Sequence, residues 1–239
     1  MTTIDRDLLH APARLTAVFE LAVIVGTFFL IREIAKSYEL IGAGSMGIVT
    51  AVIIGTLLMK RRGHSWHAFG LRLPRSLMGW LAAITLTALA MVMVFVGVQK
   101  LVVPLIFQLI DNPSFGGFNH KFSFFFDKPL VFATYMVLVV WIGAAIGEEL
   151  FARGLLMNHI AEALGYSKLG WGVALLGQAA FFGAAHAYQG PTGIIITGSV
   201  GLFFGIVYLL GGRWLFPVIL AHGLVDTISL TQLYMMNSG

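Results

Sequence analysis

The 239-residue sequence has no cysteine and little charge, with Asp, Glu, Lys and Arg together making up 11% of it. Without thiols there are no disulfides, no thiolate metal sites and no cysteine nucleophile. A soluble globular domain carries about twice this charge fraction. No polar stretch is long enough to build a separate soluble domain, the longest being Lys60–Arg75. There is no heptad or low-complexity tract, and no internal repeat of the kind that marks transporters made of duplicated halves. The opening residues, MTTIDRDLLHAPARL, lack the basic-then-apolar order of a secretory signal, so the first apolar run reads as a retained helix.

What the chain has in abundance is apolar surface: 58% of residues are hydrophobic and the mean hydropathy is +0.89. A membrane span needs about 20 mainly apolar residues. Runs of that kind cover Leu15–Ile31, Ile41–Met59, Leu77–Val98 (resuming through Leu101–Ile110), Leu130–Gly147, Leu169–Ala187, Thr192–Leu210 and Leu215–Tyr234. The fold expected is therefore an all-α, polytopic transmembrane helical bundle. It forms one integral membrane domain over residues 1–239, with six to eight spans and seven as the best single count. Phe28, Phe29 and the aromatic run from Phe122 to Phe126 read as lipid-facing or packing residues.

The net charge of +4 would raise nucleic acid as a partner in a soluble protein. Here it reads as orientation and lipid-headgroup contact, with no nucleic acid. Lys60–Arg75 carries five Lys and Arg and no acid, so that segment is expected in the cytoplasm. That places the N-terminus, with Arg6 and Arg14, on the same side, together with Lys168 and Arg213. The expected location is multi-pass in the cell membrane. His64 and His67 then read as polar residues at headgroup level.

Against this background, ionisable side chains inside the apolar runs stand out, because each costs about 2.5–3.5 kcal/mol to insert. Glu148, Glu149 and Arg153 form the first group. Glu149 and Arg153, four apart on a helix, share a face and can pair. Glu148 points about 100° away and is left to take a proton, since two adjacent carboxylates in an apolar setting cannot easily both be ionised. The plainer alternative is a charged cluster at a helix end, solvated by the cytoplasm. His186, four residues after Phe182, is the second group; alone it would read as a boundary histidine. His222 and Asp226, one turn apart, are the third, and their plainer reading is a local pair. In a helical hairpin turning near Ser167, Glu148 and His186 each lie about 19 residues from the turn and reach similar depth. His222, about nine residues past Arg213, is also inside the membrane. All could converge on one polar cavity among the fourth, fifth and seventh helices. Gly147, Gly183, Ala184, Ala185 and Gly223 would permit close helix approach.

The three groups resemble the motifs of the CPBP (CAAX protease and bacteriocin-processing, or Abi) family of intramembrane endopeptidases. Those motifs are Glu-Glu-x-x-x-Arg, Phe-x-x-x-His and His-x-x-x-Asn/Asp, in successive later helices. The resemblance spans Leu130–Leu233 and implies hydrolysis of a peptide bond in a membrane-associated, in some members lipid-modified, protein or peptide. It implies a water activated by Glu148 and His186, an oxyanion site near His222 and Asp226, and Glu149 with Arg153 as a brace. Arg153 contacting a substrate carboxylate is the alternative for that side chain. Asp226 stands where Asn is common in the family, and an ionised Asp offers only acceptors. It must be protonated, orient His222, or ligate a metal. Two histidines and a carboxylate can hold a catalytic zinc, here with His186, His222 and Glu148 as ligands, although the set lacks HExxH spacing. Metal-free activation of water by glutamate and histidine is the favoured reading. The resemblance leaves room for a non-hydrolytic immunity, scaffold or maturation role using the same site, and intramembrane Glu and His also suit a proton-coupled transporter. The substrate and the oligomeric state are left open.

Overall fold

A computed structural model describes residues 11–40, 42–111, 113 and 122–238; Arg6 lies outside them. Among the described residues the chain is a bundle of seven long helices. They are α1 (Ala11–Ser37), α2 (Ala43–Arg61), α3 (Leu77–Leu109), α4 (Pro129–Ala163), α5 (Lys168–Ala185), α6 (Gly190–Leu210) and α7 (Leu215–Asn237). Six of the seven are long and apolar enough to cross a membrane. The exception is α5, expected as the fifth span, whose Lys168, Gln178 and four glycines dilute its hydropathy. Its outer stripe is still apolar, since Leu169, Val173 and Leu176 are all exposed, while Gln178 is fully buried. Large apolar side chains face outward throughout (Leu15, Leu77, Leu130), as expected where the solvent is hydrocarbon.

The central element is α4, which packs against α1, α2, α5 and α7. Most of its middle is wound wider than an α-helix, over Met136–Glu148 and again over Leu150–Leu156. Such turns recur at functional sites. Where α4 tightens again, the Asn158 side-chain amide donates to the carbonyls of Arg153 (2.9 Å) and Gly154 (2.8 Å) and to the Tyr208 hydroxyl (2.9 Å). α5 and α6 meet closely because Gly183 has no side chain: a Cβ there would lie 2.6 Å from the Ile194 carbonyl oxygen.

The segment between α2 and α3 is pinned to the bundle and does not simply lie along the membrane surface. The Leu215 N–H donates to the Gly70 carbonyl (2.9 Å), and the Trp214 indole N–H donates to that of Arg72 (2.6 Å). Phe69 is buried, and the Trp66 indole donates to the Thr56 hydroxyl (3.1 Å). At this end Arg62 turns inward to two buried carboxylates, Glu20 of α1 (3.0 Å) and Glu162 of α4. His159 joins them, its Nε2 being 3.2 Å from Glu20 and its Nδ1 2.8 Å from the Leu155 carbonyl.

Candidate active site

A cavity of about 880 Å³ opens at the other end of the bundle, lined near its mouth by Lys36, Gly42, Phe122, Tyr188 and Gln189. Deeper in, its wall carries Glu148 from α4, His186 from the end of α5, and His222 and Asp226 from α7. The three sequence motifs thus reach one space. Glu149 and Arg153 stand behind that wall with no exposed surface. A cluster solvated at a helix end is excluded by that burial.

Behind the wall the polar groups are heavily engaged. Glu149 Oε1 accepts from Arg153 Nη1 (2.8 Å) and from His222 Nδ1 (2.8 Å). Arg153 Nη2 donates to the Gly201 carbonyl of α6 (2.7 Å), an oxygen that also accepts from the Gln178 amide (2.9 Å). The rings of Phe182 and Phe204 flank the guanidinium at 5.2 and 5.7 Å. Arg153 is therefore a brace tying α4 to α6, and its burial removes it from reach of a substrate carboxylate. Glu149 Oε2 and Arg153 Nε are the atoms of this pair left without a hydrogen bond. Sequence reasoning did not single out Gln178 or the Gly201 carbonyl, although an amide in an otherwise apolar helix was a usable signal.

The groups facing the cavity are freer. Glu148 is half-buried and has no hydrogen bond to another described side chain. The His186 ring donates from Nδ1 to the Phe182 carbonyl four residues earlier (2.8 Å). A carbonyl can only accept, so Nδ1 carries the hydrogen and the Nε2 of the neutral ring keeps its lone pair. Phe182 also packs against the His186 ring, tilted by 40° at 4.9 Å between centres, which gives the Phe-x-x-x-His spacing a second use in positioning the ring. His222 has its other nitrogen, Nε2, 3.5 Å from Asp226 Oδ2, a long contact consistent with orienting the ring.

Both nitrogens of His222 thus face carboxylates, which does not suit the zinc set of His186, His222 and Glu148. Among the described residues no group of three or more His, Asp or Glu is placed to share a metal ion.

Residues 130–228 match the family model described as Type II CAAX prenyl endopeptidase Rce1-like. The matched stretch contains all three motifs. No curated protein and no solved structure matches the chain.

Proposed function

We propose that the chain is an intramembrane endopeptidase of the CAAX protease family with Glu148 as general base, a reading supported by the match of residues 130–228 to that family's model. The observation that carries this reading is the division of labour between adjacent carboxylates. Glu149 is held by Arg153 and His222, whereas Glu148 faces the cavity with no side-chain partner. Only a carboxylate that a cavity water can reach takes a proton from it, and the unbonded Oε2 of Glu149 is sealed away from the cavity by its full burial.

In this mechanism the water hydrogen-bonds to the lone pair on His186 Nε2 and gives a proton to Glu148. Its oxygen attacks the scissile carbonyl carbon, and the carbonyl electron pair moves to oxygen. His222, carrying a proton on each nitrogen and held through Nδ1 by Glu149, turns its Nε2 hydrogen from the long contact with Asp226 to that oxyanion. One such donor is worth roughly 2.7–4 kcal/mol in the transition state. Collapse of the intermediate breaks the C–N bond, and Glu148 returns its proton to the leaving amine. The new carboxyl and amine account for all the atoms of the water. The substrate is a membrane-associated peptide or protein segment reaching the cavity through the largely apolar residues that line it.

The direct test is cleavage of membrane-anchored peptides by purified Glu148→Ala and His186→Ala proteins. Activity should be lost in both, and wild-type rates in both would sink the assignment. The orientation follows from charge. We place the Lys60–Arg75 end in the cytoplasm, which turns the cavity mouth to the opposite face. A chain without cysteine suits single-cysteine labelling: Glu39→Cys should react with an impermeant maleimide from outside intact cells, and His67→Cys only after permeabilisation. The reverse pattern would invert the orientation.

A further inference from the structure

The middle of α5 buries a primary amide that the proposed chemistry does not use. Gln178 is fully buried and does not line the cavity. It stands four residues before Phe182 and eight before His186, on the same face of the helix. Its amide nitrogen lies 3.1 Å from the Leu175 carbonyl and 2.9 Å from that of Gly201 on α6. Carbonyls only accept, so both contacts belong to the NH2 group. Gln178 Oε1 is left buried with no donor among the described residues. Glycines on α6 make room for the amide. A Cβ at Gly205 would lie 2.7 Å from the Gln178 nitrogen, and one at Gly201 would lie 3.1 Å from Phe182 Cβ.

Packing does not call for an amide here. A leucine would fill similar space, need no partner and avoid the cost of burying an unmet acceptor. Nor does the Gly201 carbonyl depend on Gln178 for a donor, since Arg153 Nη2 reaches it at 2.7 Å. What Gln178 adds is a second hydrogen bond to that oxygen, which fixes the place where the guanidinium must meet it. The chain continues from Arg153 Nη1 to Glu149 Oε1 (2.8 Å), and the same oxygen accepts from His222 Nδ1 (2.8 Å). Resting on the peptidase reading, we propose that Gln178 is a positioning residue. It acts through the Gly201 carbonyl, Arg153 and Glu149 to aim the His222 ring at the oxyanion. The amide is kept at a cost in stability, the usual trade where a side chain serves a site.

The test compares Gln178→Leu with the wild type, both as the full chain in lipid nanodiscs. Tm should be unchanged or higher, because an unmet buried acceptor is removed. On a membrane-anchored peptide, kcat per folded protein should fall about ten- to a hundred-fold, the scale of a small misplacement of a reacting group. KM should stay within about twofold, since Gln178 does not face the cavity. In a His222→Gln background the same substitution should lower the residual kcat by less than about twofold, because the ring it positions is already gone. Solid-state NMR of protein labelled with 15N-histidine reads the ring directly, His222 being assigned by its loss in His222→Gln. Gln178→Leu should move the Nδ1 resonance of His222 and leave those of His64 and His67, towards the other end of the bundle, in place. A fall in Tm that accounts for the lost activity would make Gln178 a packing residue and overturn the proposal. So would a full-sized kcat effect in the His222→Gln background, or an unmoved Nδ1 resonance. If wild-type protein cleaves no peptide while that resonance moves, the peptidase reading fails and the hold of Gln178 on the His222 ring stands.

Discussion

Two buried polar clusters sit along α4, and they are built differently. Towards its C-terminal end, Arg62 spans Glu20 and Glu162, with His159 against Glu20 and a backbone carbonyl. Each of those side chains meets a protein partner, and the set draws together α1, α4 and the segment after α2. Near the middle of α4, Glu149, Arg153 and His222 make an equally tight set, but Glu148 and His186 Nε2 are left facing a cavity. Both clusters bear the cost of placing charge in an apolar bundle. A cluster that stabilises the fold spends its donors and acceptors internally. A cluster poised for chemistry keeps some of them free for something that arrives.

The sharpest separation should come from Glu148→Gln. General-base catalysis is worth about 10²–10⁴-fold, so peptide cleavage should fall by roughly that factor. Thermal stability in nanodiscs should stay within about 0.5 kcal/mol, as no side-chain hydrogen bond is removed. A marked loss of stability would show Glu148 to be a structural acid like Glu20. Arg62→Ala should do the reverse. It strands two buried carboxylates, at a cost of about 3–5 kcal/mol, while kcat of the folded fraction stays near wild type. A fall in kcat without loss of stability would move that cluster into the catalytic apparatus.

Asn158 lies between the clusters in sequence and gives a finer test. Its amide serves the Arg153 and Gly154 carbonyls and the Tyr208 hydroxyl, none of which touches Arg62. Asn158→Leu should cost about 1–3 kcal/mol by leaving buried acceptors unmet. Combined with Arg62→Ala, the two losses should add within about 0.5 kcal/mol. A larger coupling, measured by denaturation of the double variant, would show that the clusters act as one.

What could be read from the sequence divides along the same line. Glu149 with Arg153 and His222 with Asp226 are each four apart on a helix, so periodicity alone pairs them. Apolar runs place the helices, and similar distances from a turn bring Glu148 and His186 to one level. The Glu20–Arg62 and Arg62–Glu162 pairs are separated by 42 and 100 positions, and nothing local announces them. Glu20 in the middle of the first apolar run was nevertheless a visible anomaly. The bond between His222 and Glu149, 73 positions apart, was equally hidden, and it decides which nitrogen of His222 faces the cavity. Wide winding in α4 leaves no periodic signature in a stretch this uniformly apolar. Arg62 also counted as one of five loop cations when its charge is in fact turned inward, so the outward charge of that segment is smaller than its composition suggests.

His64 offers the smallest effect and a direct probe of the closed cluster's field. It is half-buried, packs against Phe69 with ring centres 6.1 Å apart, and feels Arg62, Glu162, Glu20 and His159. Burial first, and then the Arg62 charge, hold its proton affinity below the ordinary histidine value, with the two acids opposing. An unfolded chain protonates this residue near pH ~6.5, the folded protein only at lower pH. Between those points the unfolded state binds more protons, so the contribution of His64 to stability is complete above about pH 6.5 and is lost as pH falls. Lowering the pH from about 7.5 to about 5.5 should therefore reduce the Tm of the wild type slightly more than that of His64→Gln. In the Arg62→Ala background burial still lowers the proton affinity of His64, but Glu20 and Glu162 offset more of it, so the difference should shrink. If the acid sensitivity assigned to His64 persists there unchanged, Arg62 does not set the field in that cluster.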